Sequence, residues 1–342
     1  MFIEPKNKVN REIFEMTFNF PELIADGIKD GSQVESLNLK NIKRIYHIGV
    51  GTSGLVGEYV QYYFSNLNAN TDFIVIKNHD FPIKEKSLYI LYTYSGTTYE
   101  VMIALKKILK ANLKCIIISS NGVIEEEAKK RNIIFYKMKE GLESRAHLPY
   151  GIAFTSTILS EALGYRDKNE EDLKESISIL RNIRSKILKE KEEWLKLAKS
   201  ILENLPMAIG DSALYPVLKR FQNQIAENVK APALFGILPD MNHNLLVALK
   251  RTTNLFTTLI RRNSADNIVK AYYEIVQKTL SDATIMPIDI NDDKHCWNTL
   301  LYPTYVIDVL SILAGDLKGV DVRAIPEVSN VKKTLAKIYE EI

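Results

Sequence analysis

Short apolar runs alternate with amphipathic stretches along the first half of the chain. The runs are RIYHIGV (44–50), DFIVIKN (72–78), SLYILYTY (87–94), KCIIISS (114–120) and NIIFYKM (132–138). The stretches between them, such as TYEVMIALKKILKAN, carry apolar residues at helical spacing. Strands that alternate with helices in this way predict a parallel sheet with right-handed crossovers and helices on both faces. We expect this first α/β domain to occupy residues 20–150.

The second half of the chain repeats the pattern after a charged helical interval. Residues 167–204 contain neither Gly nor Pro and carry Leu and Ile at helical spacing, which predicts long connecting helices within a linker at 151–200. A looser series of strands and helices then runs through LPMAIGD, NLFTTLI and TIMPIDI and ends in two helices. The pattern therefore predicts two doubly wound parallel-sheet domains, the second at residues 201–342, with a helix at the C-terminus.

Composition limits the class of protein. The 342 residues are 46% hydrophobic, and 45 Lys and Arg residues nearly balance 42 Asp and Glu residues, so neither a disordered chain nor a strongly basic nucleic-acid binder fits. The two cysteines form no CxxC pair, the N-terminus lacks the pattern of a signal peptide, and no stretch approaches the ~18 apolar residues of a membrane span. We expect a cytoplasmic protein with no nucleic-acid or membrane partner.

The first strand ends in GVGTSG (49–54) and then enters a helix, so it satisfies the spacing GxGxxG. Alone, this motif indicates a dinucleotide site, in which backbone N–H groups and a helix N-terminus face a pyrophosphate. Thr52 and Ser53, however, put hydroxyls where a dinucleotide loop prefers small apolar residues. The third strand adds a second hydroxyl cluster at its end, with Thr93, Ser95, Thr97 and Thr98 around Gly96.

These two clusters favour a small phosphate ester as the ligand. Ligands of open α/β sheets bind beyond the carboxyl ends of the strands, near the switch point, where both clusters would converge. Hydroxyls and backbone N–H groups at two helix starts can hold a phosphate without a lysine. The alternative is structural, since Ser and Thr at a turn between strand and helix are ordinary N-caps.

The pattern GxGxS after one strand and YSGxT after another resembles the sugar isomerase (SIS) domain, which binds phosphosugars. Further motifs narrow the resemblance to the bifunctional phosphoglucose/phosphomannose isomerases. These motifs contain Arg145 in GLESRAHLPYG, Glu227 in RFQNQIAENVK, His243 in LPDMNHN and Lys332 in VSNVKK. The resemblance covers nearly the whole chain, although Val50, Thr52 and Thr93 depart from the residues that are frequent in the family. It implies two SIS domains and a homodimer.

The implied reaction converts glucose 6-phosphate, and mannose 6-phosphate, to fructose 6-phosphate through a cis-enediolate, which needs a base, a charge stabiliser and a means to open the ring. Glu227 is our candidate base, because its helix face (Arg220, Asn223, Gln224, Glu227) holds a single carboxylate among amides. The commoner role for such a glutamate is exposed pairing with Arg220 or Lys230.

The other roles fall to three further residues. Arg145 follows the fifth strand, where a guanidinium can stabilise the enediolate, although a surface pair with Glu143 is the alternative. The resemblance implies that His243, contributed by the other subunit, opens the ring, whereas a loop histidine is more often a surface residue. It also implies that Lys332 assists in ring opening, with Lys333 and Lys337 as alternatives. We expect the helix of Lys332 to have a buried side that includes Val328, Val331, Leu335 and Ile338.

No cofactor or metal is implied. His47, His79, His147, His243 and His295 are scattered, and none has the HxH or HxxxH spacing of a metal site. The sequence leaves open an enzyme that acts on another phosphosugar and a phosphosugar sensor without catalysis. Glu227 and His243 argue against the sensor, as does the lack of a basic DNA-binding extension. Whether mannose 6-phosphate is used as well as glucose 6-phosphate is left open too.

Overall fold

The computed structural model describes residues 3–67, 71–291 and 296–340. Within them the chain forms two compact units, one made of Glu22–Lys174 and the helix that begins at Pro326, the other of the residues up to Pro21 and Glu175–Ile325. We call them the first-sheet unit and the second-sheet unit. This division assigns residues 151–174 and the last helix to the first-sheet unit, whereas the sequence boundaries assigned them to the linker and the second domain.

The first-sheet unit is built on a five-stranded parallel sheet. Its strands match the five predicted runs: β1 (Arg44–Ile48), β2 (Asp72–Ile76), β3 (Ser87–Thr93), β4 (Cys115–Ser119) and β5 (Ile134–Lys137). Their order is β2-β1-β3-β4-β5, so β3 is central, and every one of its residues is buried. This is the predicted doubly wound sheet, and its apolar runs are continuous because both faces are covered.

Helices cover both faces of the first sheet. The helices from the N-terminus to the second sheet are α1 (Lys8–Phe18), α2 (Phe20–Gly31), α3 (Thr52–Asn66), α4 (Tyr99–Lys110), α5 (Val123–Lys130), α6 (Leu148–Leu163), α7 (Arg166–Lys189) and α8 (Lys191–Glu203). Of these, α1, α8 and the part of α7 from Glu175 onward belong to the second-sheet unit. Tyr46, Ile48 and Leu91 lie in one core with residues of α4 and α5, whereas α3 and α6 contact each other. Because successive strand residues point to opposite faces, His47 and Tyr92 point to the face opposite this core. The predicted charged interval 167–204 forms α7 and α8.

The second-sheet unit has a four-stranded parallel sheet of order β7-β6-β8-β9. Its elements are β6 (Leu205–Asp211), a 3-10 turn (Ser212–Leu214), α9 (Tyr215–Gln224), a π-helix (Ile225–Val229), β7 (Leu234–Leu238), a 3-10 helix (Asp240–His243), α10 (Leu245–Leu249), β8 (Leu255–Arg262), α11 (Asn267–Thr279), β9 (Thr284–Ile290) and α12 (Trp297–Lys318). The order repeats that of the first four strands of the first sheet, which agrees with the predicted second copy. The chain ends in α13 (Pro326–Glu340), the predicted C-terminal helix.

Two features of the second-sheet unit differ from the sequence expectations. β7 was missed, because its run LFGIL is short and is interrupted by Gly236. The expectation that no stretch could span a membrane was wrong for α12, which is long and apolar enough by length and composition. Of its most apolar window, 83% is buried inside the protein, as in the core helix of a globular unit.

Candidate functional site

The two hydroxyl clusters of the first-sheet unit lie side by side. β1 and β3 are adjacent and parallel, with Ile48 opposite Leu91, so the loops that follow them leave the same edge at the switch point of the sheet. The backbone N–H of Tyr94, after β3, donates to Ser53 Oγ in the first turn of α3 at 3.3 Å. The predicted convergence of the two clusters is therefore present.

The hydroxyls in these loops do not act as helix caps. Thr93 Oγ1 and Thr98 Oγ1 are 2.8 Å apart, and Thr97 Oγ1 donates to Ser95 Oγ at 3.2 Å. Neither α3, which follows Gly51, nor α4 has a side-chain capping bond at its N-cap. The first-turn N–H groups of a helix have no partner within it, so both helix starts present donors next to the hydroxyls. The capping alternative therefore does not explain these residues.

One glycine in each hydroxyl loop adopts a backbone conformation with positive φ. Gly51 has φ +61° and Gly96 has φ +66°, a region that residues with a Cβ rarely adopt. Gly96 also contacts the turn after β4, because a Cβ on Gly96 would lie 1.6 Å from the carbonyl oxygen of Asn121. That turn adds a further hydroxyl, as Ser120 Oγ donates to the carbonyl of Tyr94. Ser120 was not predicted as part of this edge.

The two tyrosines of the loop LYTYSGTT are packing residues. Tyr92 is fully buried, and Tyr94 is 7% exposed. The ring of Tyr94 stacks on His147 with centroids 4.4 Å apart, and its hydroxyl accepts from the N–H of Leu142 at 2.8 Å. Because their rings are enclosed, Tyr92 and Tyr94 pack beneath the loop. The hydroxyls of the neighbouring Ser and Thr residues lie at the edge of the sheet.

Arg145 is buried in the turn before α6, with only 5% of its surface exposed. Arg145 is therefore not an exposed surface side chain, as the alternative of a surface pair with Glu143 assumed. His147, two residues on, points its Nδ1 at the carbonyl of Ser144 at 2.6 Å, which holds the same turn. Arg145 belongs to the first-sheet unit, together with the hydroxyl clusters.

Glu227 lies half-buried in the π-helix that continues α9. A π-helical turn is rare and is found disproportionately at functional sites. Lys318 Nζ and Lys230 Nζ contact carbonyls at the end of this turn, Lys318 that of Val229 at 2.9 Å and Lys230 that of Glu227 itself. The π-turn at Glu227 was not predicted, since no signal in the sequence distinguishes a π-turn from an α-turn here.

Two of the other polar residues on this face of α9 are buried inside the second-sheet unit and do not form a shared surface with Glu227. Arg220 and Gln224 are buried, each 1% exposed. Arg220 makes two hydrogen bonds with Asp308 of α12. Burial raises the pKa of Asp308, and the Arg220 guanidinium opposes that shift. Asp308 was missed, although a lone charge in the apolar run YVIDVLSIL was a usable signal.

His243 and Lys332 are both exposed. His243 ends the 3-10 helix Asp240–His243 in the second-sheet unit, and Lys332 is on α13 in the first-sheet unit. The expected buried side of α13 was wrong for Val328 and Val331, which are 43% and 59% exposed; the side chain of Ile338 lies outside the described residues. Lys333 is exposed as well, so burial does not separate Lys332 from this neighbour.

The corresponding edge of the second sheet is differently built. Asp211, at the end of β6, accepts from Arg262 at 2.8 and 3.2 Å and from the hydroxyl of Tyr273. Asp211 and Arg262 are 2% and 8% exposed, and burial beside the Asp211 carboxylate raises the pKa of Tyr273. A closed ion pair therefore occupies the edge where the first sheet carries open hydroxyl loops.

No group of three or more His, Cys, Asp or Glu side chains that could hold a metal ion is found among the described residues. His295 lies outside them. Metal independence stays a prediction.

Comparison with known proteins identifies two domains in the chain. Residues 38–160 match the SIS domain family, and residues 190–335 match the family described as the bacterial phospho-glucose isomerase C-terminal SIS domain. A hypothetical protein of known structure from Thermus thermophilus has the same fold, with a TM-score of 0.72 over 97% of this chain and 94% of its own at 13% identity.

Three relatives are similar to this chain, two of them over most of their length. Two are named bifunctional phosphoglucose/phosphomannose isomerase: one from Aquifex aeolicus, 27% identical over 88% of this chain and 92% of its own, and one from Caldicellulosiruptor bescii, 26% identical over 96% and 100%. A D-glucosamine-6-phosphate 4-epimerase from Sulfolobus acidocaldarius is 26% identical over 60% of this chain and 64% of its own. The chain thus has one SIS domain in each half and is similar over most of its length to proteins named bifunctional phosphoglucose/phosphomannose isomerase.

Proposed function

We propose that the protein is a metal-independent isomerase that interconverts glucose 6-phosphate and mannose 6-phosphate with fructose 6-phosphate through a cis-enediolate. The observation that carries the proposal is the meeting of two hydroxyl loops, at the switch point of the first sheet, whose hydroxyls cap neither helix. The names of the full-length relatives from A. aeolicus and C. bescii support the choice of substrates. We further propose that it acts as a cytoplasmic homodimer.

The phosphate would be held by hydroxyls and backbone N–H groups. Ser53 and Thr98 present hydroxyls at the starts of α3 and α4, whose first-turn N–H groups favour an anion. Thr52 and Ser95 are partly exposed and within the same loops, so they can reach a ligand at this edge. Thr93, which is buried, would act by orienting Thr98, because their hydroxyls are hydrogen-bonded.

Glu227 would transfer the proton between C1 and C2 of the open-chain sugar. A carboxylate can do this when it is partly withdrawn from water, and Glu227 is half-buried beside a wholly buried ion pair. Arg145 would stabilise the negative charge that develops on the enediolate oxygens, for which a guanidinium offers fixed, permanently charged donors.

His243 and Lys332 would open the sugar ring. An imidazole can give and take the proton of the ring oxygen near neutral pH, and an ammonium can assist as a donor. Both side chains are exposed in the single chain. His243 is therefore proposed to serve the site of the partner subunit in the dimer, whereas Lys333 remains the alternative to Lys332.

The test is one coupled assay that starts from fructose 6-phosphate and scores glucose 6-phosphate and mannose 6-phosphate separately. We expect both products, at rates that are unchanged after treatment with EDTA. The absence of both products would refute isomerisation, the absence of one would restrict the substrate range, and loss of activity with EDTA would refute metal independence.

A second candidate is a different reaction on a phosphosugar. The relative named D-glucosamine-6-phosphate 4-epimerase shares 26% identity with this chain, a value similar to that of the isomerases, though over fewer residues. Glucosamine 6-phosphate is therefore the first substrate to try if fructose 6-phosphate is not converted. A chain that binds both sugars and converts neither would be a sensor.

A further inference from the structure

A histidine lies directly beneath the first hydroxyl loop. His47 on β1 is fully buried, and its Nε2 lies 2.9 Å from the carbonyl oxygen of Ser53 in the first turn of α3. The hydroxyl of the same Ser53 accepts from the N–H of Tyr94 in the second loop. Ser53 is thus tied at its backbone to β1 and at its side chain to the exit of β3.

The chemistry of this contact fixes the state of the imidazole. A carbonyl oxygen can only accept, so Nε2 must carry the proton and donate. The other ring nitrogen, Nδ1, is buried with no hydrogen-bond partner among the described residues. Burial lowers the pKa of His47 to about 4, and the positive charge of Lys77 adds to that shift. His47 is therefore a neutral donor of fixed direction at any pH at which the protein would work.

The ring has little freedom to turn away from Ser53. Tyr92 stacks on one face of it with centroids 5.1 Å apart, and Phe73 lies at 6.2 Å. On the helix side it contacts Gly57, where a Cβ would come within 2.4 Å of the imidazole. Packing on both sides therefore aims the donor at one acceptor.

We propose that His47 is a positioning residue for the phosphate site: it holds the first turn of α3 so that the Ser53 hydroxyl and the adjacent N–H groups face the ligand. This inference rests on the proposed function of the Ser53 loop. A helix start that moves by a few tenths of an ångström misaims several donors at once, and oriented donors lose strength steeply as their angles worsen. His47 itself, enclosed by its neighbours, touches no ligand.

The test compares His47→Phe, His47→Gln and Tyr92→Phe. His47→Phe keeps an aromatic ring but removes the donor, and we expect it to raise the KM for fructose 6-phosphate and the Kd for inorganic phosphate about 5- to 10-fold, with kcat within about twofold. His47→Gln keeps an N–H donor and should recover part of the affinity. Tyr92→Phe, in the same ring stack, removes a buried hydroxyl without a partner among the described residues and should leave KM and Kd unchanged.

The outcomes separate positioning from simple structural support and from failure of the proposed reaction. A merely structural His47 would lower the folded fraction, and with it the apparent kcat, while KM and Kd stay as in the parent. That result overturns the inference. If the parent does not convert fructose 6-phosphate, the proposed function fails, but the phosphate Kd values still decide whether His47 positions the loop. If His47→Phe does not fold, two other variants serve as the test: His47→Gln, and Gly57→Ala, whose Cβ displaces the imidazole ring. We expect both to weaken phosphate binding, and unchanged Kd values in both would overturn the inference.

Discussion

The guanidinium of Arg220 binds the carboxylate of Asp308 through two hydrogen bonds, Nε to Oδ1 at 2.9 Å and Nη2 to Oδ2 at 2.8 Å. Both side chains are almost wholly buried, at 1% and 3% exposure. The pair joins α9 to α12 one turn before the π-helix that carries Glu227. The pair therefore holds in place the end of α9 from which the π-helix with Glu227 continues.

Removal of one partner of this pair should be far more costly than removal of both. Asp308→Asn removes the Asp308 carboxylate from a buried guanidinium, and we expect it to lower the free energy of unfolding by about 3–5 kcal/mol. The double variant Arg220→Met, Asp308→Leu should recover most of that loss. Trp194 and Trp297 both belong to the second-sheet unit, so tryptophan fluorescence during urea unfolding reports it. A loss below about 1 kcal/mol in Asp308→Asn would show that the pair is not important for stability.

Glu227→Gln should remove catalysis without removing binding. The amide cannot accept the C–H proton, so we expect kcat to fall at least ~100-fold, while the Kd for fructose 6-phosphate changes little. Turnover is measured in the coupled assay and affinity by calorimetry. Glu274→Gln, on an exposed position of α11, makes the same chemical change elsewhere in that unit. Near-normal turnover by Glu227→Gln would exclude Glu227 as the base.

The double variant Ser95→Ala, Thr98→Ala should weaken the hold on the substrate. Each hydroxyl that contacts the phosphate contributes about 1 kcal/mol, so we expect KM to rise about 10-fold or more. Steady-state kinetics provide the value, with Ser32→Ala as the control, because the hydroxyl of Ser32 donates to the carbonyl of Ile28 on α2, away from the two loops. An unchanged KM would mean that these hydroxyls bind no phosphate.

Gly96→Ala should destabilise the first-sheet unit more than Gly141→Ala does. Both glycines have positive φ, at +66° and +83°, so both variants carry the backbone penalty of about 1–2 kcal/mol. Only Gly96 is crowded, because its Cβ would lie 1.6 Å from Asn121, whereas Gly141 has nothing within 4 Å. Thermal unfolding followed by far-UV circular dichroism measures the difference. Equal losses would mean that the turn after β4 yields without strain.

Acid should destabilise the parent more than a variant without His47. The pKa of His47 falls from 6.5 to about 4 on folding, so between these values the unfolded chain binds the proton and the folded chain does not. Stability from this residue is complete above pH 6.5 and is lost as the pH falls toward 4. We expect the parent to lose about 2 kcal/mol more than His47→Gln between about pH 7 and pH 5 in urea unfolding. Parallel losses would mean that His47 is protonated in the folded protein.

The strands of the first sheet could be predicted because each is an apolar run bounded by polar turns. The placement of Ser53 and Thr98 at one edge of the sheet could be predicted because they follow two of those runs. β7 was not predicted because LFGIL is short and a glycine interrupts it. In such cases burial depends on neighbours that are remote in sequence, and the apolar pattern weakens.

The candidate base shows the other limit. A helical wheel puts Arg220, Gln224 and Glu227 on one face, which suggests one shared surface. The structure buries the first two, with Arg220 bound to Asp308, 88 residues away, while the π-turn rotates the residues that follow. Neither the distant carboxylate nor the change of helical period can be read from local spacing, so the sequence located Glu227 but not its surroundings.

The pair Asp211–Arg262 gives the second sheet an internal counter-ion. The guanidinium there is already neutralised by a carboxylate of its own chain, at the same topological position where the first sheet exposes uncharged hydroxyls and helix starts. The same strand order thus ends differently in the two copies: the first sheet leaves uncharged hydroxyls and two helix starts at this edge, and the second sheet fills it with an ion pair from its own chain.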